Sequence, residues 1–395
     1  MVQRRGMPVV LLVGLVWLVA GAGDWFMRFH WFRWQQTFIV RPLKATEGPA
    51  LPMQRREFGV TRGGDLTHLV GIPAAEREFE DERSPAVEWS DEFGFRNVPP
   101  TTNTHYPVVV AGASYMNSGH PMTNMFAARL ASRGGVPVYC HAYPGRGPFY
   151  GLLRLLETPQ FAEAPPKVLV WGVVEREVGG ASFGGLIFQL RNLGRYSDVG
   201  GAHTVFDGRA FLPRRLKQSL PDTSAIAQLS RIAWNRARYA LFGWLTPDVA
   251  ISEGTVEGKR FLFYAPAVKA LKWSPAERDI EHVVSAVAEL NAYLVARDVT
   301  LLLVLIPDKE QVYRNLLPER LNSDASPVPP SCLPDFEAGL RAQGIRVVNM
   351  LGTYEAEAAQ GVMLYYRDDT HWNERAIALA ADRAWAEISG VLTEP

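Results

Sequence analysis

Continuous apolar runs of strand length alternate with helical patterns from about residue 105 to the end of the chain. Such runs lack the polar alternation of a half-exposed strand, so they are typical of strands buried on both faces of a parallel sheet. We therefore predict an α/β fold, a three-layer sandwich with a central parallel sheet. The predicted strands are Val108–Ala111, Val136–His141, Lys167–Val174, Thr300–Ile306 and Arg346–Asn349.

Amphipathic segments between these runs predict the covering helices. The segment that opens with Ser-Pro-Ala-Glu carries a helix-start signature. The predicted helices are Met122–Gly134, Ser274–Arg297 and a last one from near Asn373 to about Ser389.

The alternation lapses between about residues 179 and 272, which we interpret as a helical insertion. It contains a predicted helix, Ser224–Leu245, that has no acidic residue. Its arginines are either solvated or paired to the main domain, or they form a basic surface facing a membrane or an anionic chain. These arginines are Arg231, Arg236 and Arg238.

The first 35 residues follow a different pattern. Arg4 and Arg5 precede an apolar run, Met7–Gly23, and an aromatic cluster follows it. This order predicts an N-terminal membrane anchor with the rest of the chain on the outer side, although the run is short for a span. Ala20-Gly21-Ala22 leaves a cleaved signal peptide open. We divide the chain into this segment (1–35), a lead-in (36–100) and a main domain (101–395).

Composition narrows the class of function. Lys and Arg together number 41, equal to Asp and Glu, so the chain lacks the basic character of a nucleic-acid binder. The eight histidines are scattered, and neither CxxC nor a Cys/His cluster appears, so we predict no metal and no cofactor. Whether Cys140 and Cys332 pair stays open.

Residues at the carboxyl ends of the strands are the candidates for chemistry, because ligands bind there in open parallel sheets. Ser114 follows the first run, and the sequence DDTHW lies just before the last predicted helix. A serine hydroxyl needs an adjacent base, and the base needs an orienting group. His371 could accept the proton of Ser114, with Asp369 holding the imidazole. Asp368 also fits a common spacing and remains an alternative to Asp369.

Three further residues at strand ends are candidates for contact with an oxyanion or a substrate. Gly145 lies in a turn able to aim a backbone N–H, and Arg176 follows the third strand. Lys309 either meets an anionic sugar or is an exposed residue at a helix start.

Here the sequence resembles a known family. GASY at 112–115 and DTHW at 369–372 are similar to SGNH hydrolase-type domains of the alginate O-acetyltransferase AlgJ/AlgX group, as are GFRN at 94–97 and IPDKEQVY at 306–313. The resemblance covers roughly residues 91–389 without the insertion. It implies that Ser114 is the nucleophile, His371 the base and Asp369 its partner. Gly145 and the Ser114 amide would be oxyanion donors.

The sequence departs from the family pattern at three points. Ala113 replaces the usual aspartate of the GDS block, and Glu175-Arg176 stands where an oxyanion asparagine is usual, so that donor is absent or supplied by Arg176. Serine precedes DTHW here, whereas the alginate proteins have the reverse order. The chain is thus expected to be a relative of the group rather than an alginate enzyme.

The resemblance implies an extracytoplasmic polysaccharide O-acetyltransferase that forms an acyl-serine intermediate. It implies a polysaccharide acceptor, a multipass membrane O-acyltransferase of the MBOAT type as donor, and a place on the periplasmic side of the inner membrane. An acetylesterase with the same triad and a non-catalytic polysaccharide-binding or scaffold protein remain alternatives.

Overall fold

The computed structural model describes most of the 395-residue chain and nearly all of the predicted main domain. The described residues are 14–23, 55–58, 61–62, 64–70, 78–99, 101, 105–145, 147–183, 185–193, 225–242 and 245–393.

A five-stranded parallel sheet forms the centre of the main domain, in the spatial order β11-β10-β7-β5-β6. These strands are almost entirely buried, because helices cover both faces of the sheet. Their sequences are accordingly apolar. The strands are β5 (Val108–Gly112), β6 (Val138–Ala142), β7 (Val168–Val174), β10 (Thr300–Ile306) and β11 (Arg346–Asn349). The predicted three-layer α/β architecture is therefore confirmed.

Short antiparallel strands lie outside the central sheet. In the lead-in, β1 pairs with β4 and β2 with β3, and in the insertion β8 forms a hairpin with β9. These strands are β1 (Arg55–Phe58), β2 (Thr61–Arg62), β3 (Glu82–Arg83), β4 (Ala86–Trp89), β8 (Val249–Ile251) and β9 (Leu262–Tyr264).

The helices are numbered in chain order. Those in the first half are α1 (14–23), α2 (Asp65–Val70), α3 (Ser114–Asn117), α4 (Phe126–Gly134), α5 (Tyr150–Leu156), α6 (Pro159–Glu163), α7 (Gly180–Phe183), α8 (Leu186–Arg191) and α9 (Ala225–Phe242). Those in the second half are α10 (Ala265–Leu271), α11 (Pro275–Arg278), α12 (Ile280–Val295), α13 (Lys309–Val312), α14 (Leu333–Ala342), α15 (Leu351–Ala359) and α16 (Glu374–Thr393). Single 3₁₀ turns span Met122–Asn124, Glu175–Glu177 and Arg314–Leu316.

Successive residues of each central strand point into two different hydrophobic cores. Val108 and Val110 join the core under α4 and α16, whereas Val109 and Ala111 join the core under α5, α8, α12 and α14. Burying an aliphatic side chain of this size contributes roughly 1.5–3 kcal/mol. The two cores together hold the carboxyl ends of all five strands at one edge.

Two predicted helices begin or break differently from expectation. The predicted helix Ser274–Arg297 is divided at Asp279, which has φ of 43° and caps α12 through the His282 amide. The predicted helix from Met122 starts as a 3₁₀ turn, and α4 begins only at Phe126. In both places a local capping geometry interrupts an otherwise helical pattern.

A third cluster of buried residues joins the lead-in to the insertion. Leu66 and Phe79 of the lead-in pack against Leu245, Val249 and Leu262. The segment before the first central strand is therefore packed against the main domain.

The predicted N-terminal anchor is described only in part. Of the predicted anchor, Met7–Gly23, only 14–23 is described, and it is helical. Within the described ranges, no helix combines the length and apolarity needed to cross a bilayer.

Cys140 and Cys332 are unpaired; Cys140 lies in the core on one face of the sheet, and Cys332 packs against the core on the other.

Candidate active site

Ser114 begins α3, two residues after β5 ends. The chain turns sharply here, and Gly112 has φ of 142°. A side chain on Gly112 would lie 2.8 Å from the carbonyl oxygen of Gly172 in β7, so only glycine fits. The close approach of the two strands places the Ser114 hydroxyl at the carboxyl edge of the sheet.

His371 lies opposite Ser114, in the loop between α15 and α16. Its Nε2 is 2.7 Å from Ser114 Oγ, and its Nδ1 is 2.5 Å from Asp369 Oδ1. The His371 backbone N–H also donates to Asp369 Oδ1 at 3.0 Å. The three residues that sequence reasoning singled out are thus in one continuous chain of hydrogen-bond contacts.

Aromatic side chains enclose this chain of contacts. The Tyr115 ring lies 4.8 Å from the His371 ring, centroid to centroid, and its hydroxyl donates to the Thr370 carbonyl at 2.5 Å. Trp372 is fully buried, and its indole N–H points to the Tyr115 carbonyl at 2.9 Å and to Ser118 Oγ at 2.7 Å. The α3 turn and the histidine loop are therefore held together by more than the serine–histidine contact.

Charges around His371 favour its protonated form. Burial lowers the pKa of His371, but the Asp369 carboxylate and then Asp65 outweigh this and leave the pKa above its ordinary value. Burial likewise raises the pKa of Asp369, yet His371 and Arg83 hold it well below its usual range. Asp369 is therefore ionised and positioned to stabilise an imidazolium.

Asp368 has a different environment from Asp369. It is completely buried and forms a two-pronged ion pair with Arg83, at 3.1 Å and 3.3 Å, and it accepts the Asp81 amide. Burial raises its pKa, opposed by Arg83. Asp368 therefore fixes the loop to the lead-in, and only Asp369 contacts the imidazole.

Asp65, at the start of α2, is a part of the site that the sequence did not reveal. Its carboxylate accepts the Thr370 amide at 2.8 Å and the Thr370 hydroxyl at 2.5 Å, and it lies 3.8 Å from His371 Nδ1. Burial of the carboxylate and the neighbouring Asp369 raise the pKa of Asp65 to about 7. No local motif pointed to it, because its partner is 305 residues away in the sequence.

Lys309 is the candidate that the structure corrects. It is completely buried, and its ammonium donates to the carbonyls of Leu262, Tyr366 and Asp369 at 2.7–2.8 Å. It is neither exposed nor placed to meet a sugar, so both alternatives considered for it were wrong. The β9 strand covers Lys309. Its ammonium bonds to backbone carbonyls of the loop that carries His371, the histidine loop, and so holds that loop in place.

Arg176 and Gly145 lie at the same edge without a contact to Ser114 among those described. The Arg176 backbone N–H and guanidinium donate to the buried Asp308 carboxylate at 2.7 Å and 2.5 Å, and the guanidinium lies 5.4 Å from the Tyr115 ring. Gly145 is exposed in the turn after β6, with φ of 74°. Their roles towards an oxyanion remain predictions.

A metal site is a further use that this geometry would allow. Ligand atoms of Asp65, Asp369 and His371 lie within 4.8 Å of one another. Each of these atoms already has a hydrogen-bond partner in the network described above, so we interpret the group as a proton-transfer arrangement rather than a metal centre.

Comparison with known proteins identifies sequences similar to this chain. The family model of the SGNH hydrolase-like domain of acetyltransferase AlgX matches residues 52–175 and 258–394. A probable alginate O-acetylase AlgJ from Pseudomonas aeruginosa is 28% identical over 213 residues, which are 53% of this chain and 51% of that protein. The corresponding protein of Azotobacter vinelandii is 24% identical over 189 residues, 44% of this chain and 48% of its own length.

The chain spans about half the length of these curated relatives. Among solved structures, the O-acetyltransferase domain of Pseudomonas putida AlgJ matches 45% of this chain and 51% of its own, with 20% identity and a TM-score of 0.22. The family match leaves residues 176–257 uncovered, nearly all of which belong to the predicted insertion, and it includes most of the lead-in.

Proposed function

Because the chain belongs to the family of SGNH hydrolase-like acetyltransferase domains typified by AlgX, we propose that it transfers acetyl groups to hydroxyls of a polysaccharide through an acyl-serine intermediate. The observation that carries the proposal is the contact chain from Ser114 through His371 to Asp369, at 2.7 Å and 2.5 Å. The names of the curated relatives, probable alginate O-acetylases, support the reaction class.

The proposed first half-reaction acylates the serine. Ser114 Oγ attacks the acetyl carbonyl of the donor while His371 Nε2 takes the hydroxyl proton. The tetrahedral intermediate then breaks the bond to the leaving oxygen, which receives that proton from His371. Asp369 holds the imidazole in orientation and stabilises its charge during both steps.

The second half-reaction returns the enzyme to its starting state. A sugar hydroxyl gives its proton to His371 Nε2 and attacks the acyl-serine carbonyl. Collapse of the intermediate breaks the bond to Ser114 Oγ, which recovers the proton. The sugar ester leaves, and water in place of the sugar would make the same site an esterase.

Donors for the oxyanion are part of the proposal. We assign the Ser114 amide, at the start of α3, and the Gly145 amide to this role, with Arg176 supplying the positive charge where an asparagine is absent. One well-placed donor is worth about 3–4 kcal/mol in the transition state.

The location and the donor complete the proposed function. Arg4 and Arg5 before the apolar run support a place on the periplasmic side of the inner membrane, anchored or released by cleavage. A membrane-bound acyltransferase of the MBOAT type would then supply the acetyl group. Fractionation of cells expressing the full chain tests the location, and recovery in the cytosolic fraction would contradict it.

The decisive experiment measures acetyl transfer by the full chain from 4-nitrophenyl acetate to oligosaccharides. We expect nitrophenol release that depends on Ser114, an acetylated Ser114 by mass spectrometry, and an acetylated sugar product. Ser114→Ala should abolish all three, whereas Ser285→Ala, an exposed serine on α12, should change none.

The outcomes separate the candidate functions. Free acetate formed at the same rate with and without sugar would replace the transferase by an esterase. A folded protein whose Ser114 never acquires the acetyl group would contradict an enzyme and favour a polysaccharide-binding role.

A further inference from the structure

A cavity of about 540 Å³ lies beside the edge strand β6, apart from the candidate active site. It is bounded by the end of the lead-in, by β6 and by α5 and α6. Charged Arg154 and Glu163 contribute to its wall. Six aromatic side chains also line it: Phe93, Phe95, Tyr106, Tyr139, Tyr143 and Phe161. A cavity of this size that combines aromatic rings with a few polar groups is typical of a site for a small ligand.

The cavity is built in advance by a turn of the lead-in. Asp91 Oδ1 accepts the amides of Phe93 and Phe95, both at 2.9 Å, which fixes the backbone that carries the two rings. The Asn97 side chain bonds to the amide and the carbonyl of Cys140, at 2.9 Å and 3.1 Å. Asn97 therefore provides hydrogen-bond partners for backbone groups on the outer edge of β6, as a neighbouring strand would. The GFRN segment, residues 94–97, forms part of the cavity wall.

A polar atom in this wall lacks a partner. His141 is 4% exposed, stacks on Phe95 at 4.2 Å between ring centroids, and its Nε2 has no hydrogen-bond partner. Burial, and then Arg154, lower its pKa to about 3, so the ring is neutral. A buried polar atom without a partner costs roughly 1–3 kcal/mol. The Nε2 atom is closed off in this structure, so a ligand hydroxyl would recover this cost once a neighbouring side chain of the cavity wall moves aside.

The chemistry of the wall favours a sugar ring over other small ligands. A pyranose has an apolar face of C–H groups that packs on aromatic rings and hydroxyls that bond to a neutral imidazole. A purely aliphatic ligand would leave His141 unsatisfied. Phe93, 42% exposed, extends the aromatic surface outward to the solvent. An extended chain bound in the cavity could therefore continue beyond it.

The cavity is connected to the candidate active site through one turn. Tyr143 lines the cavity with its ring, while its backbone N–H donates to the Gly112 carbonyl at 2.9 Å, two residues before Ser114. Gly145 lies two residues further along the same turn. A polysaccharide held in the cavity would thus pass over the Tyr143–Gly145 turn to reach the serine.

From this geometry we propose that the aromatic cavity beside β6 is a remote subsite that binds a sugar ring of the acceptor polysaccharide. This inference rests on the proposed function for its substrate class. It adds a binding site outside the serine–histidine centre, and it assigns Phe93 and His141 to acceptor binding rather than to the acetyl transfer itself.

The test measures oligosaccharide binding to full-length Ser114→Ala protein, so that turnover cannot interfere. The probes are a six-residue mannuronate oligomer and a six-residue neutral cello-oligosaccharide, followed by titration calorimetry. Phe93→Ala and His141→Phe should each weaken the bound probe about tenfold, the size expected for loss of one aromatic contact or one hydrogen bond. Phe188→Ala, which removes an exposed phenylalanine of α8, is the matched control and should leave binding unchanged.

In the background with an intact Ser114, Phe93→Ala should raise the KM for the sugar acceptor. The control Phe188→Ala should keep both this KM and the wild-type rate of nitrophenol release from 4-nitrophenyl acetate. If Phe93→Ala and His141→Phe bind both probes as tightly as the control, or if neither probe binds the parent protein, the subsite is refuted. An inert Ser114 would instead refute the proposed function, and the binding arm remains informative because it needs no chemistry.

Discussion

At the scale of single residues, the two neighbouring aspartates of DDTHW have separate environments. Asp369 contacts the imidazole at 2.5 Å, and Asp368 is buried against Arg83. The sequence left both open because their spacings to His371 are each compatible with a known arrangement. Which aspartate can contact the imidazole depends on the direction in which each side chain points. In a loop, that direction is set by tertiary contacts and not by the local sequence.

We expect Asp369→Asn to reduce kcat for ester cleavage by about 10⁴-fold, because the amide no longer holds the imidazole tautomer or stabilises its charge. Asp368→Asn should retain most of the activity per folded molecule and lose stability instead. Steady-state kinetics with 4-nitrophenyl acetate, together with urea unfolding, check both variants. A nearly normal Asp369→Asn enzyme would transfer the orienting role to Asp368.

The raised pKa of His371 gives a pH prediction. The base must be neutral, so kcat/KM should rise with pH through a pKa above the ordinary histidine value of 6.5. Asp65→Asn removes one carboxylate that raises this pKa, and the rise should move to lower pH. The same linkage makes the charged His371–Asp369 pair stabilising below pH 6.5, with that contribution lost as pH increases through the raised pKa.

A pH–rate profile of the wild type and Asp65→Asn measures this shift. Asp382→Asn, an acidic residue half-exposed on α16, is the control and should not move the profile. An acid limb at the same pH in wild type and Asp65→Asn would show that Asp65 does not act on the imidazole.

At the scale of elements, the lead-in holds the histidine loop in place. Arg83 of β3 pairs with Asp368, and the Asp65 carboxylate of α2 accepts the Thr370 amide. Gly64 is packed so closely that a Cβ there would lie 2.4 Å from the Asp368 carbonyl oxygen. Lys309 fixes the loop from the opposite side. The position of the loop that carries His371 thus depends on two separate parts of the chain, the lead-in and Lys309.

Breaking this connection should cost stability. We expect Arg83→Met to lower the free energy of unfolding by about 3–5 kcal/mol, because it leaves the fully buried Asp368 carboxylate uncompensated. The double variant Arg83→Met with Asp368→Leu should lose less than the sum of the two single variants. Urea unfolding measures the cycle.

The matched control breaks an exposed pair of the same type. Arg133→Met removes an ion pair with Asp382 in which both side chains are about half exposed, and it should cost less than about 1 kcal/mol. Equal losses for Arg83→Met and Arg133→Met would contradict the idea that the lead-in fixes the loop.

At the scale of the whole molecule, the sequence predicted the sheet better than the contacts around the site. The runs Thr300–Ile306 and Arg346–Asn349 match the observed strands to the residue, and the other three predicted strands differ from the observed ones by one or two residues at their ends. Apolar runs of this length mark strands that are buried on both faces. Ser114 could be found because it follows a strand of that sheet, and His371 because it stands beside an aspartate just before the last helix. Asp65 and Arg83 could not, since their partners are 305 and 285 residues away and no periodic pattern records such a pairing.

Lys309 shows a second limit of sequence patterns. Pro307-Asp308-Lys309 follows a strand and begins a short helix, which suggests an exposed lysine. The β8–β9 hairpin of the insertion covers this position and supplies the Leu262 carbonyl to the ammonium. Burial of a charged residue depends on which element packs above it, and the local sequence does not contain that information.

The two cysteines allow a prediction for the whole fold. Cys140 lies in one core and Cys332 packs against the other, with the central sheet between them. We expect two free thiols per chain when protein isolated without reductant is denatured and labelled with a thiol reagent. If both thiols react with the reagent only after reduction, the two cysteines are joined by a disulfide and the chain has folded differently.

This separation of the cysteines by the sheet has a practical consequence for making the protein. No oxidation step is needed to reach the native state, so material from a reducing bacterial cytosol and material from an oxidising compartment should be interchangeable in every assay described above. Crystallisation and labelling work can then use whichever host gives the higher yield.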